Sequence, residues 1–506
     1  MSLSAAFNII SSSFAANAAQ TAVVSNNIAN VNTPGYSREI ANVVTSPYGG
    51  ADVASVTRIA NAALAEQATT STAQAAAQQA IANGLTALAA TVSDSSSASA
   101  ASGANQNGAS PSAMLANLQS ALITYEDSPS SSSAADAAVS AASDLASSLN
   151  SASATVQQVR EQADQGMASS VSTINSLLTQ FTAANNAVVT GLQTVANVSS
   201  AEDTRDSIVT QLAQQIGVST TTAANGSESI YTDSGVALFQ DTPRTVSFTA
   251  TPTLVDGAPG AAVTVDGVPI TGPNSPMPIQ SGALAGYAAL RDTLAPQYQA
   301  QLDQIAGGLI NAFAESDQSN PAVLTKLPGL FTTPSLFSTP GATPPSMLAT
   351  TRLAAAIEVN PNVDPSQGGN PNLLRDGGIS DPGNPAYTYN TTGSASYTGR
   401  IQQLIGQISA PAQPFDPSAG LGSSSSLADY AGASVSWIQG ENQQASDSSS
   451  YQNALATQAT SALSNATGVN LDAEMTNMLN LENTYASTAK LLTTVTSMFQ
   501  SLLQAA

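Results

Sequence analysis

A chain of 506 residues is too long for one core, and one that is only 9% charged and 5% aromatic favours slender helical elements over thick globular layers. Its 33 acidic residues against 11 basic ones leave a net charge of −22, which speaks against nucleic acid and against an anionic membrane as partners. With no cysteine and no histidine, disulfides, thiol nucleophiles, histidine-based catalytic triads and most transition-metal sites are excluded, and neither a cofactor nor a bound metal is expected.

The first residues repeat an apolar spacing of four and three: Leu3, Phe7, Ile10, Phe14, Asn17, Thr21, Val24, Ile28 and Val31. Seven of these nine positions are apolar, which predicts one stripe of a helix ending near Asn32, because Thr33-Pro34-Gly35 is turn chemistry. Residues 1–37 carry no charge, so the basic start of a cleavable signal peptide is missing, and any export is expected to use a route without one. No run of about 18 apolar residues suggests a membrane span.

A second helical region covers about 59–92, rich in Ala, Gln and Thr. Residues 93–112 are low-complexity and read as a loop, and a short helix over 113–126 follows. From 134 to 195 the chain has no proline, and Leu149, Val156, Val159, Met167, Val171, Ile174, Leu178, Phe181 and Val188 keep helical spacings. About fifty continuous helical residues would run ~75 Å. After the helical stretch 203–213, strands are expected at 229–232, 235–239 and 245–248, with a hairpin at 262–270 turning on Asp266-Gly267. The pairs Asp256-Gly257 and Asp376-Gly377 also read as turns; none of the three fits a calcium loop.

Residues 282–313 return to helix, with Leu284, Tyr287, Leu290, Leu294, Tyr298, Leu302, Ile305, Leu309 and Phe313 on one face and a kink expected at Pro296. Proline and glycine crowd 320–390, which implies a small irregular β-containing unit; its stretch LLRDGGISDPGNPAY reads as a surface turn. A further helix is expected over 427–466, with Trp437 in the core. The last helix follows Gly468, capped by Asn470, with Leu471, Met478, Tyr485, Leu492 and Phe499 spaced by sevens and Met475, Leu481, Val495, Leu502 and Leu503 beside them.

Two heptad-like helices at opposite ends are expected to pair with each other, marginally in a lone copy. Periodicity alone fits an ordinary amphipathic pair within one globular domain better. The uncharged Ser, Asn and Gln faces move the reading toward subunit contacts, because such groups can be buried at low cost once paired.

Residues 15–39, AANAAQTAVVSNNIANVNTPGYSRE, closely resemble the N-terminal signature of the axial proteins of the bacterial flagellum: rod, hook and first hook-associated protein. The core of the match is Ser25, Asn26, Asn27, Ile28, Ala29, Asn30, Val31, Asn32, Thr33, Pro34, Gly35 and Tyr36. Residues 468–503, GVNLDAEMTNMLNLENTYASTAKLLTTVTSMFQSLL, resemble the matching C-terminal signature. The long helix, the Arg205-Asp206 helix before a β segment and Gly-Tyr-Ser-Arg at 35–38 are most similar to the first hook-associated protein family. Positions that are commonly acidic or Gln-rich near the C-terminal end are here Asn480, Leu481, Glu482 and Asn483, and the middle is short for that family.

The resemblance implies a mainly α fold with inserted β: paired N- and C-terminal coiled-coil helices, a long-helix inner domain and small outer β-containing units. The expected division is 1–40 with 468–506 as the terminal domain, 41–218, 282–319 and 421–467 as the helical inner domain, 219–281 as a β segment, and 320–420 as an irregular outer unit. It implies a non-enzymatic extracellular subunit that forms a ring of identical copies at the hook–filament junction. Hook protein would lie on one side and a second junction protein or the filament on the other, with an export chaperone on the C-terminal helix, and with neither nucleic acid nor membrane as partner. The assembly interface would be Leu3, Phe7, Ile10, Phe14, Val24, Ile28, Val31, Leu471, Met475, Met478, Tyr485, Leu492, Val495, Phe499 and Leu502. Another axial subunit, hook or distal rod, is the alternative. A secreted adhesin or hydrolase is a third reading; for a hydrolase only Lys326 and Lys490 could supply a lysine base.

Overall fold

The computed structural model describes residues 3–505 apart from 47–48, 94–109, 195, 252–253, 255–257, 320–325, 340 and 348–350. The first element is helix α1 (Leu3–Ala29), three residues shorter than the sequence suggested. Asn30 explains the difference. Its N–H is shared between the carbonyls of Asn26 and Asn27, its side-chain amide also donates to the Asn26 carbonyl, and its own carbonyl accepts from Thr33 N–H. These bonds close the last turn early.

An antiparallel hairpin follows, β1 (Glu39–Thr45) and β2 (Ala51–Arg58), with a register shift between Asn42 and Val43. It precedes the helical region that the sequence places at about 59–92. Its strands are rich in Val and short in helix formers, and it lies along α1.

Helix α2 (Ala62–Ala89) is capped by the Asn61 side chain, which accepts from Leu64 N–H. Helix α3 (Pro111–Asp127) is capped in the same way by Ser110. The loop expected at 93–112 and the turn at Asp256-Gly257 lie almost wholly outside the described residues. Helix α4 (Ser132–Gln193) has 62 residues, so it spans about 90 Å rather than 75 Å. The extra length is its opening stretch, where Ala135, Ala138 and Ala142 supply the buried face in place of larger side chains. Helix α5 (Ser199–Gln215) turns back along it.

A four-stranded antiparallel sheet comes next: β3 (Val218–Thr222), β4 (Glu228–Thr232), β5 (Ala237–Gln240) and β6 (Thr242–Pro243), adjacent in chain order. A second sheet holds β7 (Val246–Ser247), β8 (Thr264–Val265) and β9 (Val268–Pro269). Asp266 and Gly267 both take positive φ between β8 and β9, the twist a two-residue hairpin turn requires. Both sheets are docked on the second half of α4. Asn175 exchanges side-chain hydrogen bonds with the backbone of Val246, and Phe181 meets Phe239 edge-on at 4.9 Å.

Helices α6 (Ala283–Ala289) and α7 (Ala295–Ala312) are separated by one widened π turn, Leu290–Leu294. The interruption expected at Pro296 is this widened turn just before it, which accommodates a ring with no N–H to donate. Residues 326–420 hold two-residue strand pairs, short helical turns and helix α8 (Gly399–Ile408). Their buried side chains, among them Phe331, Val363, Leu374 and Phe415, share one core with α3, the first half of α4, α7 and helix α9 (Leu427–Thr467). Trp437 on α9 is half-buried and stacks on Tyr298. Arg375, in the stretch read as a surface turn, bends inward to the carbonyls of Pro129 and Ala395.

The last element is helix α10 (Leu471–Ala505), whose first turn is capped by the Asn470 side chain. The chain is therefore mainly helical, with its terminal long helices packed together, a long-helix core, and small open sheets inserted. A second core joins the end of α4 to α5 and the sheets. Neither core includes a residue of α1, the β1–β2 hairpin or α10.

Candidate assembly interface

Helices α1 and α10 run antiparallel. Phe14 meets Tyr485 edge-on at 5.0 Å, the Asn17 amide donates to the Leu481 carbonyl at 3.1 Å, and the Asn27 amide donates to Glu474 at 3.3 Å. Ile10 and Val24 are buried in the pair, and Leu3, Phe14, Ile28, Val31, Met478, Leu492 and Val495 are half-buried. Phe7, Leu471, Met475, Tyr485, Phe499 and Leu502 remain exposed, although all were expected on the same interface. The seam read from the sequence is thus split: part holds the pair together, and the rest faces outward.

The signature residues divide in the same way. Ser25, Asn26, Asn32, Thr33, Pro34 and Gly35 are exposed, and Gly35 takes φ +80°, a conformation that favours glycine. Asn27 is 1% exposed and makes four hydrogen bonds. Its amide nitrogen donates to the Glu39 carbonyl (2.9 Å) and to Glu474, and its oxygen accepts from Glu39 N–H (2.9 Å) and from the Tyr36 hydroxyl (2.9 Å). A buried amide with every donor and acceptor occupied fixes the directions of α1, β1 and α10 together. Asn30 and Thr33 bond to each other in the turn.

Glu474 is also 1% exposed and takes an ion pair from Arg38. Burial among Glu39, Asp203 and Glu474 pushes the Tyr36 hydroxyl up to about 12, desolvation contributing most, so it stays a protonated donor at any ordinary pH.

A second set of charges ties this terminal unit to the rest of the chain. Arg58, at the end of β2, bonds to Glu202 at 2.8 Å, Asp203 at 2.8 Å and Asp206 at 2.7 Å, all on α5. Burial alone would lower the Arg58 pKa, but Asp206, Glu202 and Asp203 outweigh it and hold the pKa above its ordinary value. Asp203 also accepts from Ser37 N–H (3.1 Å), and Arg38 N–H donates to the Thr467 carbonyl (2.8 Å). The terminal unit therefore sits on the body through polar contacts at a narrow neck.

Sequence reading singled out Asn27 and Tyr36 only as part of a signature, and did not assign Arg58, Glu202 or Glu474 to any site. One signal was there: Arg38 and Arg58 are the only basic residues before Arg160, so each had to be specifically placed. Among the described residues no group of three or more His, Cys, Asp or Glu side chains could hold a metal ion, and no helix is long and apolar enough to cross a membrane.

Comparison with known proteins gives three family matches. Residues 4–36 match the model described as flagella basal body rod protein, and 461–505 the flagellar basal body rod FlgEFG protein C-terminal model. Residues 102–320 match the flagellar hook-associated protein FlgK helical domain. Among solved structures, that of the flagellar hook junction protein FlgK from Burkholderia pseudomallei is similar at 22% identity and a TM-score of 0.40, over 53% of this chain and 46% of that one. The match thus spans about half the length of that relative. No curated protein matches.

Proposed function

Because this chain belongs to the family of flagellar rod, hook and hook–filament junction proteins, we propose that it is the subunit that joins the hook to the filament. It is a structural protein of the flagellar axis that works among other flagellar subunits. One observation carries the finer reading: the match to a hook-associated-protein helical domain over 102–320, set between two ends of the rod type. Helices α4 and α5 lie within that match.

In this reading α1 and α10 of identical subunits line an inner tube, using Leu3, Phe7, Ile10, Phe14, Val24, Ile28 and Val31 on one helix and Leu471, Met475, Met478, Tyr485, Leu492, Val495, Phe499 and Leu502 on the other. The helical body stands outside them, with the β segment and residues 320–420 outermost. Hook protein meets one side of the ring, and a second junction protein or the filament meets the other. The polar neck at Arg58 lets the body adjust to two tubes of different stiffness without disturbing its cores. The subunit acts outside the cell and has α10 shielded by a chaperone before assembly.

The test is electron microscopy of flagella carrying a tagged copy. A label confined to the boundary between hook and filament is expected. A label along the whole hook, or within the rod, assigns the chain to another axial position and refutes the junction role.

A further inference from the structure

The two apolar cores of the body meet at a waist. Helix α4 serves the first core as far as Ala163 and the second from Met167 on; α6 serves the second through Leu284, and the first resumes at Leu290. Helix α2 serves the second at Ala73 and the first from Ala82 on. Between these limits α2 buries only Ala75, Ala77 and Ala80. Glycine stands at each crossing. A Cβ on Gly166 of α4 would lie 2.8 Å from the Tyr287 ring, one on Gly84 of α2 2.0 Å from Leu290, and one on Gly286 of α6 2.4 Å from the Ala77 carbonyl oxygen. The π turn Leu290–Leu294 lies at the same level. Helix α9 follows α2 across it through polar side chains, with Gln79 accepting from Ser449 and Asn453. Glycines and π turns are the places where helices bend.

Charge fills the waist. Arg160 and Arg291 are both 0% exposed. Arg160 donates from Nε to the Arg291 carbonyl at 3.1 Å and from Nη2 to the Ala258 carbonyl at 2.6 Å. Arg291 pairs with Asp164 through Nη1, binds both oxygens of Asp292, and donates to the Ala261 carbonyl at 2.8 Å. The two carboxylates also accept backbone N–H groups, Asp164 from Thr251 at 2.7 Å and Asp292 from Gly260 at 3.0 Å. These bonds tie α4 to the π turn and to the chain between β7 and β8.

We infer that the waist is a locked hinge: the glycine crossings and the π turn form the pivot, and Arg160, Asp164, Arg291 and Asp292 hold the two halves in one relative orientation. Replacing a buried ion cluster by apolar side chains of the same volume is often neutral or stabilising, so the cluster is not needed to hold either core together. What it adds is direction. Hydrogen bonds weaken steeply when bent, whereas apolar contact is non-directional and tolerates rotation. The half with the second core carries α5, and with it the Arg58 neck; the half with the first core carries residues 326–420. Releasing the lock therefore swings residues 326–420 relative to the terminal unit, in a second movement distinct from any at the neck. The inference rests on the body alone and not on the position of the chain along the flagellum.

The chain has no cysteine, so introduced pairs carry spin labels alone. Three pairs of exposed positions suffice: Asn117→Cys with Thr220→Cys across the waist, Asn117→Cys with Ser436→Cys within the first half, and Thr179→Cys with Thr220→Cys within the second. Double electron–electron resonance on the full chain should give one narrow distance distribution for each. Adding Arg291→Met should widen the distribution across the waist at least twofold and leave the other two unchanged, with amides at both ends of α4 still protected from exchange. Asp164→Asn, which removes a charge at constant volume, should widen the same distribution to a smaller extent. Four results overturn the proposal: a distribution across the waist that neither substitution changes, equal widening of all three, a broad distribution before any substitution at the waist, or loss of both cores together in both variants.

Discussion

Asn27 and Arg58 do different work at nearly the same place. Asn27 is neutral, enclosed and fully bonded, so it fixes geometry within the terminal unit. Arg58 holds the unit to the body through three carboxylates, and Asp206 is partly open to water. Removing the guanidinium leaves Glu202, Asp203 and Asp206 facing one another without a counter-charge, which costs on the order of 3 kcal/mol of docking. Arg58→Gln should therefore free the terminal unit while leaving the body intact. Small-angle scattering should report a larger maximum dimension, and the main thermal transition should stay within about 1 °C of the wild type. An unchanged scattering profile would mean that the neck is held by something other than this charge cluster.

At the scale of elements, close approach matters more than bulk. Helices α2 and α9 pair antiparallel through small residues, with Thr86 bonding Asn442 and Gln79 bonding Ser449. Helix α6 crosses α2 at Gly286, where an added Cβ would lie 2.4 Å from the Ala77 carbonyl oxygen, a backbone atom that cannot swing away. Gly286→Ala should thus destabilise the body by about 3 kcal/mol in chemical denaturation, despite the better helix propensity of alanine. A neutral or stabilising outcome would show that α6 can slide on α2.

These elements also explain what could be read from the sequence. Long helices such as α4 and α9 announced themselves through uninterrupted spacing and the absence of proline. The β1–β2 hairpin did not, because its Ile40, Val43 and Val44 face solvent and leave no alternating buried face to detect. The core shared by residues 326–420 with the helices was hidden for another reason: its apolar residues are scattered among turns and carry no period. At the candidate interface the apolar positions were legible from their spacing. Their division between buried and exposed positions was not, because it depends on where α1 lies against α10. The charge cluster joins residues 144 or more positions apart and leaves no local pattern beyond the scarcity of arginine.

Over the whole molecule, stability is unevenly shared. The body is built on two apolar cores anchored by α4, and the buried Arg291 within it is paired with both Asp164 and Asp292. The terminal unit belongs to neither core, and most of the large apolar side chains of α10 face water. Its order is expected to come from neighbouring copies, since an element with few buried contacts opens at low cost. Hydrogen–deuterium exchange compared between purified monomer and assembled flagella tests this directly. In the monomer, amides of α1 and α10 should exchange orders of magnitude faster than those of α4, and assembly should bring them to comparable protection. If α1 and α10 are as protected in the lone subunit as α4, and assembly leaves their exchange unchanged, the terminal helices do not depend on neighbours and the account is wrong.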